Sequence, residues 1–228
     1  MIFSVLLAAL LAPASAQDNG VHPYDPNGAN FIALSPSLSE YTRFADGGPD
    51  ENWYIGFNNA WIVKLPPAPA GDFKRAFIGA RLGRAKTRPN EKKPWVRELI
   101  DGKVYMGISQ QPAWSAEQSF FLAETADIPV EGDPQNHVAG IGSAEWFWAE
   151  VSPALVSFTQ PNYLIIWSPT KSFTKATGSP ILAAAAVDEP RTEPRAWNNN
   201  TIIGVPPRTN RGSLQTPIMN ISPALAIK

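Results

Sequence analysis

The chain reads as an all-β protein, a sandwich of antiparallel sheets with extended terminal segments. Three observations predict this. Its 23 prolines in 228 residues, about twice the usual ~5% share, are spread along the chain and leave little room for long helices. Its hydrophobic segments are short and rich in β-branched or aromatic residues. Turn-forming clusters separate them, such as Asp46-Gly-Gly-Pro-Asp50, Pro66-Pro-Ala-Pro-Ala-Gly71 and Glu131-Gly-Asp-Pro134. No internal repeat or heptad pattern competes with this reading.

Taken in chain order, residues 1–16 form an expected secretory signal peptide. The run from Ile2 to Ala12 is apolar except for Ser4, Pro13 breaks it, and Ala14-Ser-Ala16 supplies the small-x-small cleavage site. Cleavage there leaves Gln17 first. No Lys or Arg precedes the run, so the α-amino group alone supplies positive charge. The run falls short of the ~20 residues that span a bilayer, and no second stretch approaches that length, so no membrane span is expected. The destination expected is periplasmic or extracellular.

The predicted β-sandwich domain covers residues 17–197. Its strand segments are Trp53–Phe57, Trp61–Leu65, Ala76–Leu82, Val104–Ile108, Phe120–Leu122, Trp146–Val151, Tyr163–Trp167 and Ile181–Val187. Within Trp146–Val151, Trp146, Trp148 and Glu150 share one face and Phe147, Ala149 and Val151 the other. Tyr163–Trp167 is apolar on both faces, as a central strand requires. Alanines in Ile181–Val187 favour helix, but Pro180 and Pro190 confine the run, which reads as a strand of small residues. Residues 198–228, with few charges and an Asn-Asn-Asn start, read as an extended C-terminal arm lying along the domain or a neighbour.

A formal net charge of −1 gives no electrostatic footprint for nucleic acid. It also leaves association with like subunits unopposed by self-repulsion. The absence of cysteine excludes a lipidated cysteine, thiol catalysis and disulfides, so a hydrophobic core must suffice, as it can at this length. Two Asn-x-Ser/Thr sequons stand at Asn199 and Asn220.

Three segments, in order, resemble the jelly-roll sandwiches of galactose-binding-like and carbohydrate-binding modules. Asn59-Ala-Trp-Ile-Val-Lys-Leu-Pro-Pro-Ala-Pro-Ala-Gly71 looks like the strand and turn before a central strand. Ala76-Phe-Ile-Gly-Ala-Arg-Leu-Gly83 resembles that central strand. Glu150-Val-Ser-Pro-Ala-Leu-Val-Ser-Phe158 with Asn162-Tyr-Leu-Ile-Ile-Trp167 resembles the edge strand, loop and strand near the end of such domains. The resemblance covers about half of residues 17–228 and implies an antiparallel jelly-roll-like β-sandwich. It carries over no binding residue.

Eight tryptophans supply the candidate chemistry, because an indole face stacks on the C–H-rich face of a sugar. Trp53, Tyr54 and Trp61 flank one turn. Trp146, Trp148 and Trp167 read as core. Trp95 and Trp114 in loops, with Trp197 and Asn198 before a run of asparagines, are the candidate ligand-binding residues. Asp46, Asp50 and Glu51 form a candidate structural calcium site, having the oxygen ligands that calcium takes; the turn from Glu131 to Asn136 is a second. His22 and His137 have no partner at metal-ligand spacing, and no nucleophile elbow or phosphate loop occurs. Glu124, Glu145 and Glu150 are the acids a glycoside hydrolase reading would draw on. The basic stretch from Arg81 to Lys93 reads as a solvated hairpin tip that an anionic glycan could touch. The expected function is a noncatalytic, secreted glycan-binding module. The alternative is a surface-assembly subunit that adds a strand of its C-terminal arm to a neighbour.

Overall fold

A computed structural model describes residues 33–35, 44–45, 54–112, 119–131, 137–138, 141–142, 144–186, 192–200 and 216–228. Their strands, in chain order, are β1 Ala33–Ser35, β2 Phe44–Ala45, β3 Asn59–Leu65, β4 Ala76–Gly83, β5 Thr87–Pro89 and β6 Arg97–Leu99. Next come β7 Lys103–Ser109, β8 Ser119–Glu124, β9 His137–Val138, β10 Ile141–Gly142, β11 Ala144–Val151 and β12 Asn162–Trp167. The last are β13 Ile181–Leu182, β14 Ala184–Ala186, β15 Ala196–Asn200, β16 Thr216–Ile218, β17 Ile221–Pro223 and β18 Leu225–Ile227. All pair antiparallel. The chain is all-β, as its composition predicts.

Two sheets make the sandwich. One has the order β1-β18-β4-β11 with β13 also on β4, the other β16-β15-β3-β12-β7-β8. Alternation sets the facing surfaces. Trp61, Val63 and Leu65 of β3, Leu164 and Ile166 of β12 and Met106 of β7 meet Ile78, Ala80 and Leu82 of β4, Ala149 of β11 and Leu225 and Ile227 of β18 in one core. Both sheets are also apolar on parts of their outer faces. On the larger sheet Ala60, Ile62, Ile165, Trp167 and Trp197 form a separate cluster there.

The alanine-rich segment has a specific task. The chain passes from β13 to β14 through Ala183, and from β17 to β18 through Ala224. β13 lies along one end of β4, with Leu182 opposite Leu82, and β18 lies along the rest of the same edge, with Leu225 opposite Ala80. β14 and β17 then pair with each other. At the branch, Arg81 N–H donates to Ala224 O at 3.0 Å, Ala224 N–H to Ala183 O at 2.8 Å, and Ala183 N–H to Arg81 O at 3.0 Å. Three backbones thus close a ring of hydrogen bonds, and both alanines are fully buried. Ala183 and Ala224 pack there with Ala144 under Trp146.

The sequence and the structure differ in places. Trp53 lies outside the described residues, and Tyr54 makes only an isolated bridge to Ile181, so the strand expected at Trp53–Phe57 is absent from its described part. Arg81 and Lys86 are buried, so the solvated part of the basic stretch starts only beyond them. The boundary expected after residue 197 falls inside β15. Residues 216–228 of the expected arm pair in cis, with β18 held between β1 and β4.

Ala224→Val is expected to lower unfolding stability by about 1–3 kcal/mol, the usual cost of overpacking, read as a lower urea midpoint at unchanged slope. Deleting residues 225–228 removes Leu225 and Ile227, each worth about 1.5–3 kcal/mol of burial, and leaves β1 and β4 without their shared partner. The truncated chain loses its cooperative thermal transition; a transition near the full-length midpoint refutes the closing role of β18.

Candidate functional site

β4 ends at Gly83, and Arg84 turns the chain out of the sheet in the left-handed backbone region, at φ 53°. This conformation costs a side-chain-bearing residue on the order of 1–2 kcal/mol. The residues just beyond it are clamped. Ala85 N–H donates to Pro129 O at 2.9 Å, Glu131 N–H to Ala85 O at 2.9 Å, and Ile100 N–H to Lys86 O at 2.9 Å. The buried Lys86 places its Nζ 2.5 Å from Glu131 Oε1. β5 and β6 leave this base as a two-stranded hairpin, with Arg88 opposite Glu98 and Pro89 opposite Arg97.

The tip is built by its own sequence. Asn90 Oδ1 accepts from the backbone N–H groups of Lys92 and Lys93, each at 2.8 Å, an Asx turn that asparagine favours. Asn90 Nδ2 donates to Glu98 Oε1. Asn90 N–H reaches Val96 O at 2.8 Å, and Val96 N–H donates to Lys93 O at 2.8 Å. Lys93–Val96 is therefore a β-turn with Pro94 at its second position, where its fixed φ suits the turn. Trp95 comes third and is 79% exposed. Large aromatic side chains are seldom left so open, and this one is carried on a hydrogen-bonded turn.

A second aromatic group covers the outer face of the five-stranded sheet. Trp146 and Trp148 stack at 5.2 Å between centroids and 15° between planes. The edge of Trp148 rests on Gly79, where a Cβ would lie 2.3 Å from Cε3. Lys228 Nζ sits 4.1 Å from the Trp148 centroid and Arg75 Cζ 4.8 Å from that of Phe77, distances at which a cation is attracted to the ring. Arg75 Nε and Nη2 donate to Glu150 Oε1 and Oε2, both at 2.9 Å. The core role expected of Trp146 and Trp148 is thus corrected: both are half-buried on the outer face. The signal is present in the sequence, since the charged Glu150 shares their face of the strand. The rings of this ledge are already engaged by one another and by cations. Among the described tryptophans, Trp95 alone offers an open indole.

Of the other predicted residues, Trp197 and Asn198 lie in β15, in the sheet opposite the one from which the hairpin leaves. Trp197 is 8% exposed on the outer face of β15, its ring 6.4 Å from that of Tyr163. Asn198 points to the other face and is buried, where its Nδ2 donates to Asn59 Oδ1 at 2.5 Å. Asn59 Nδ2 and Trp61 Nε1 both donate to Tyr54 O, at 2.8 and 3.0 Å. Trp197 and Asn198 therefore hold β15 to β3, and present no open ring or amide to solvent. Trp114, Asp46, Asp50 and Glu51 lie outside the described residues, as does Gly132–Asn136 of the second acidic turn. Among the described residues no cluster of three or more His, Cys, Asp or Glu stands at metal-binding separation. Glu145 and Glu150 sit five residues apart on one strand, roughly 17 Å along it and on opposite faces. A glycosidase pair spans about 5–10 Å, so these two do not form one.

Burial raises the Tyr54 hydroxyl pKa. The carboxyl of Glu150 is lowered below the ordinary glutamate value, first by its hydrogen bonds from Arg75. A depressed carboxyl stabilises the fold above its unfolded pKa and loses that contribution as pH falls through its folded value. In an NMR titration, Glu150 titrates below a free glutamate, and Arg75→Ala moves it back up; an unmoved titration rejects the pair in solution.

No protein-family model, no curated protein and no solved structure matches this chain.

Proposed function

We propose that the protein is an exported, noncatalytic glycan-binding module, of the jelly-roll kind that three of its segments resemble. The single observation that supports this most is the open indole of Trp95 on a braced β-turn. A binding residue of this kind needs a ring face free of protein contacts and a position fixed before the ligand arrives, because ordering a loop on binding lowers affinity. Trp95 meets the first requirement with its open ring, and the hydrogen-bonded turn fixes the backbone that carries it. The export half of the reading rests on the apolar leader and its Ala-Ser-Ala site.

Strand addition through the C-terminal arm is less favoured. Residues 216–228 already pair within their own chain, and a strand committed in cis has less edge to offer a neighbour.

A glycan array probed with the protein and with Trp95→Ala tests the reading. The wild type is expected to bind a subset of the polysaccharides. The variant, with unchanged far-UV circular dichroism and melting temperature, is expected to lose at least about thirtyfold in affinity, as central aromatic anchors do. A blank array, or a variant that binds like the wild type, refutes the proposal.

A further inference from the structure

The hairpin that carries Trp95 is also cationic. From Thr87 to Leu99 it holds Arg88, Lys92, Lys93 and Arg97 against Glu91 and Glu98, in a chain whose formal net charge is −1. Arg97 is committed internally, its Nε donating to Thr87 Oγ1 at 3.0 Å and its Nη2 to Thr87 O at 2.6 Å. Glu98 is likewise engaged by Asn90. Arg88, Lys92 and Lys93 are exposed and form no ion pair among the described residues. Elsewhere Arg75 is paired with Glu150 and Lys86 with Glu131, and Lys74, Lys103, Lys171 and Lys175 are also open, but none of these stands within three residues of an open indole. Two of the open cations, Lys92 and Lys93, are three and two residues from the open indole, on a turn whose backbone Asn90 fixes.

We infer that the ligand of the Trp95 hairpin is an acidic polysaccharide carrying a carboxylate on its sugars, a polyuronate. This rests on the glycan reading above and adds the charge of the ligand. Two separate contacts serve such a chain. The indole takes the apolar face of one sugar, and the ammonium and guanidinium groups take the carboxylates of that sugar and its neighbours. Three open cations beside Glu91 suit a ligand with one charge per sugar better than a densely sulfated one. A membrane partner fits less well, because the apolar part of the tip is limited to Pro94, Trp95 and Val96, whereas interfacial binding scales with buried apolar area.

The full-length protein is titrated with polygalacturonate and with the same polymer fully methyl-esterified, which keeps the sugar backbone and removes the charge. The acid form is expected to bind at least tenfold more tightly at low salt and to lose that advantage as salt screens it. The double variant Lys92→Gln/Lys93→Gln weakens the acid form by about tenfold and leaves the ester unchanged; Trp95→Ala weakens both. Equal binding of acid and ester overturns the inference and leaves the glycan reading standing. Binding of neither overturns the polyuronate assignment, and the glycan array decides the broader reading separately. Preferred binding to heparin, to single-stranded DNA or to vesicles with one-third phosphatidylserine, lost in Lys92→Gln/Lys93→Gln, also overturns it.

Discussion

The ring of three backbone hydrogen bonds among Arg81, Ala183 and Ala224 is the constraint on which the rest of this structure depends. A strand has two edges, and β4 must give one of them to β11 along its whole length. Its other edge is divided between β13 and β18, which come from distant parts of the sequence. Without a branch, the point where one partner leaves and the other arrives would strand buried N–H and C=O groups, each costing about 1–3 kcal/mol. The ring satisfies all six groups with three bonds. It also buries Ala183 and Ala224 completely, in a cluster with Ala144, where added methyl groups must be accommodated by a packed interior. A cysteine-free chain has only such packing and pairing to tie its C-terminus to its middle.

The branch also determines where the hairpin stands. Arg81 is three residues before Arg84, and Gly83 is still paired, to Ile181 and to Ala144. The strand is therefore immobilised up to the residue that turns the chain outward. Beyond the turn, the bonds from Ala85 and Ile100 and the Lys86–Glu131 pair fix the hairpin base. An ion pair with a buried partner is a weak source of net stability, since desolvation offsets most of its attraction. Its value here is directional: the buried ammonium of Lys86 meets a carboxylate on the 129–131 segment, so the base cannot swing without pulling that pair apart. Rigidity thus passes from the core through Arg84 to the turn that holds Trp95.

Much of this is legible in the sequence, and the parts that are not have physical reasons. The long strands β3, β4, β7, β11 and β12 appear as alternating or doubly apolar runs, because each crosses the core and must supply side chains to it. β15 reads as the start of an arm, because Asn198, Asn199 and Asn200 are poor strand formers. Tertiary context overrides that preference when Asn198 can bridge to Asn59. β18 is hidden by its length: three residues show no periodicity, and their partners β1 and β4 are remote. For the Trp146–Trp148 ledge, period two says which residues share a face but not which face looks inward. Trp95 stands out because Pro94 and Asn90 are turn formers, so the exposed position is set locally. Trp197 lies beside the same kind of polar neighbours, yet those neighbours form a strand.

The two aromatic surfaces of the protein show how differently one side chain can be used. On the ledge, the indole of Trp148 lies against Trp146 and Lys228, and its edge fills the space that Gly79 leaves open. Those contacts return to the fold much of what an outward-facing aromatic would forgo. Trp95 recovers nothing comparable. At roughly 25 cal/mol per Å², with about 150–250 Å² in an indole, its 79% exposure leaves on the order of 3–5 kcal/mol of hydrophobic gain unused. A flexible loop could recover part of that by folding the ring onto the nearby surface. Asn90, Pro94 and the hydrogen bond from Val96 to Lys93 fix the backbone of this turn, so only rotation about the side chain's own bonds is left to the ring. The turn carries its most apolar side chain in the open, and that gain remains available to whatever surface next covers the ring.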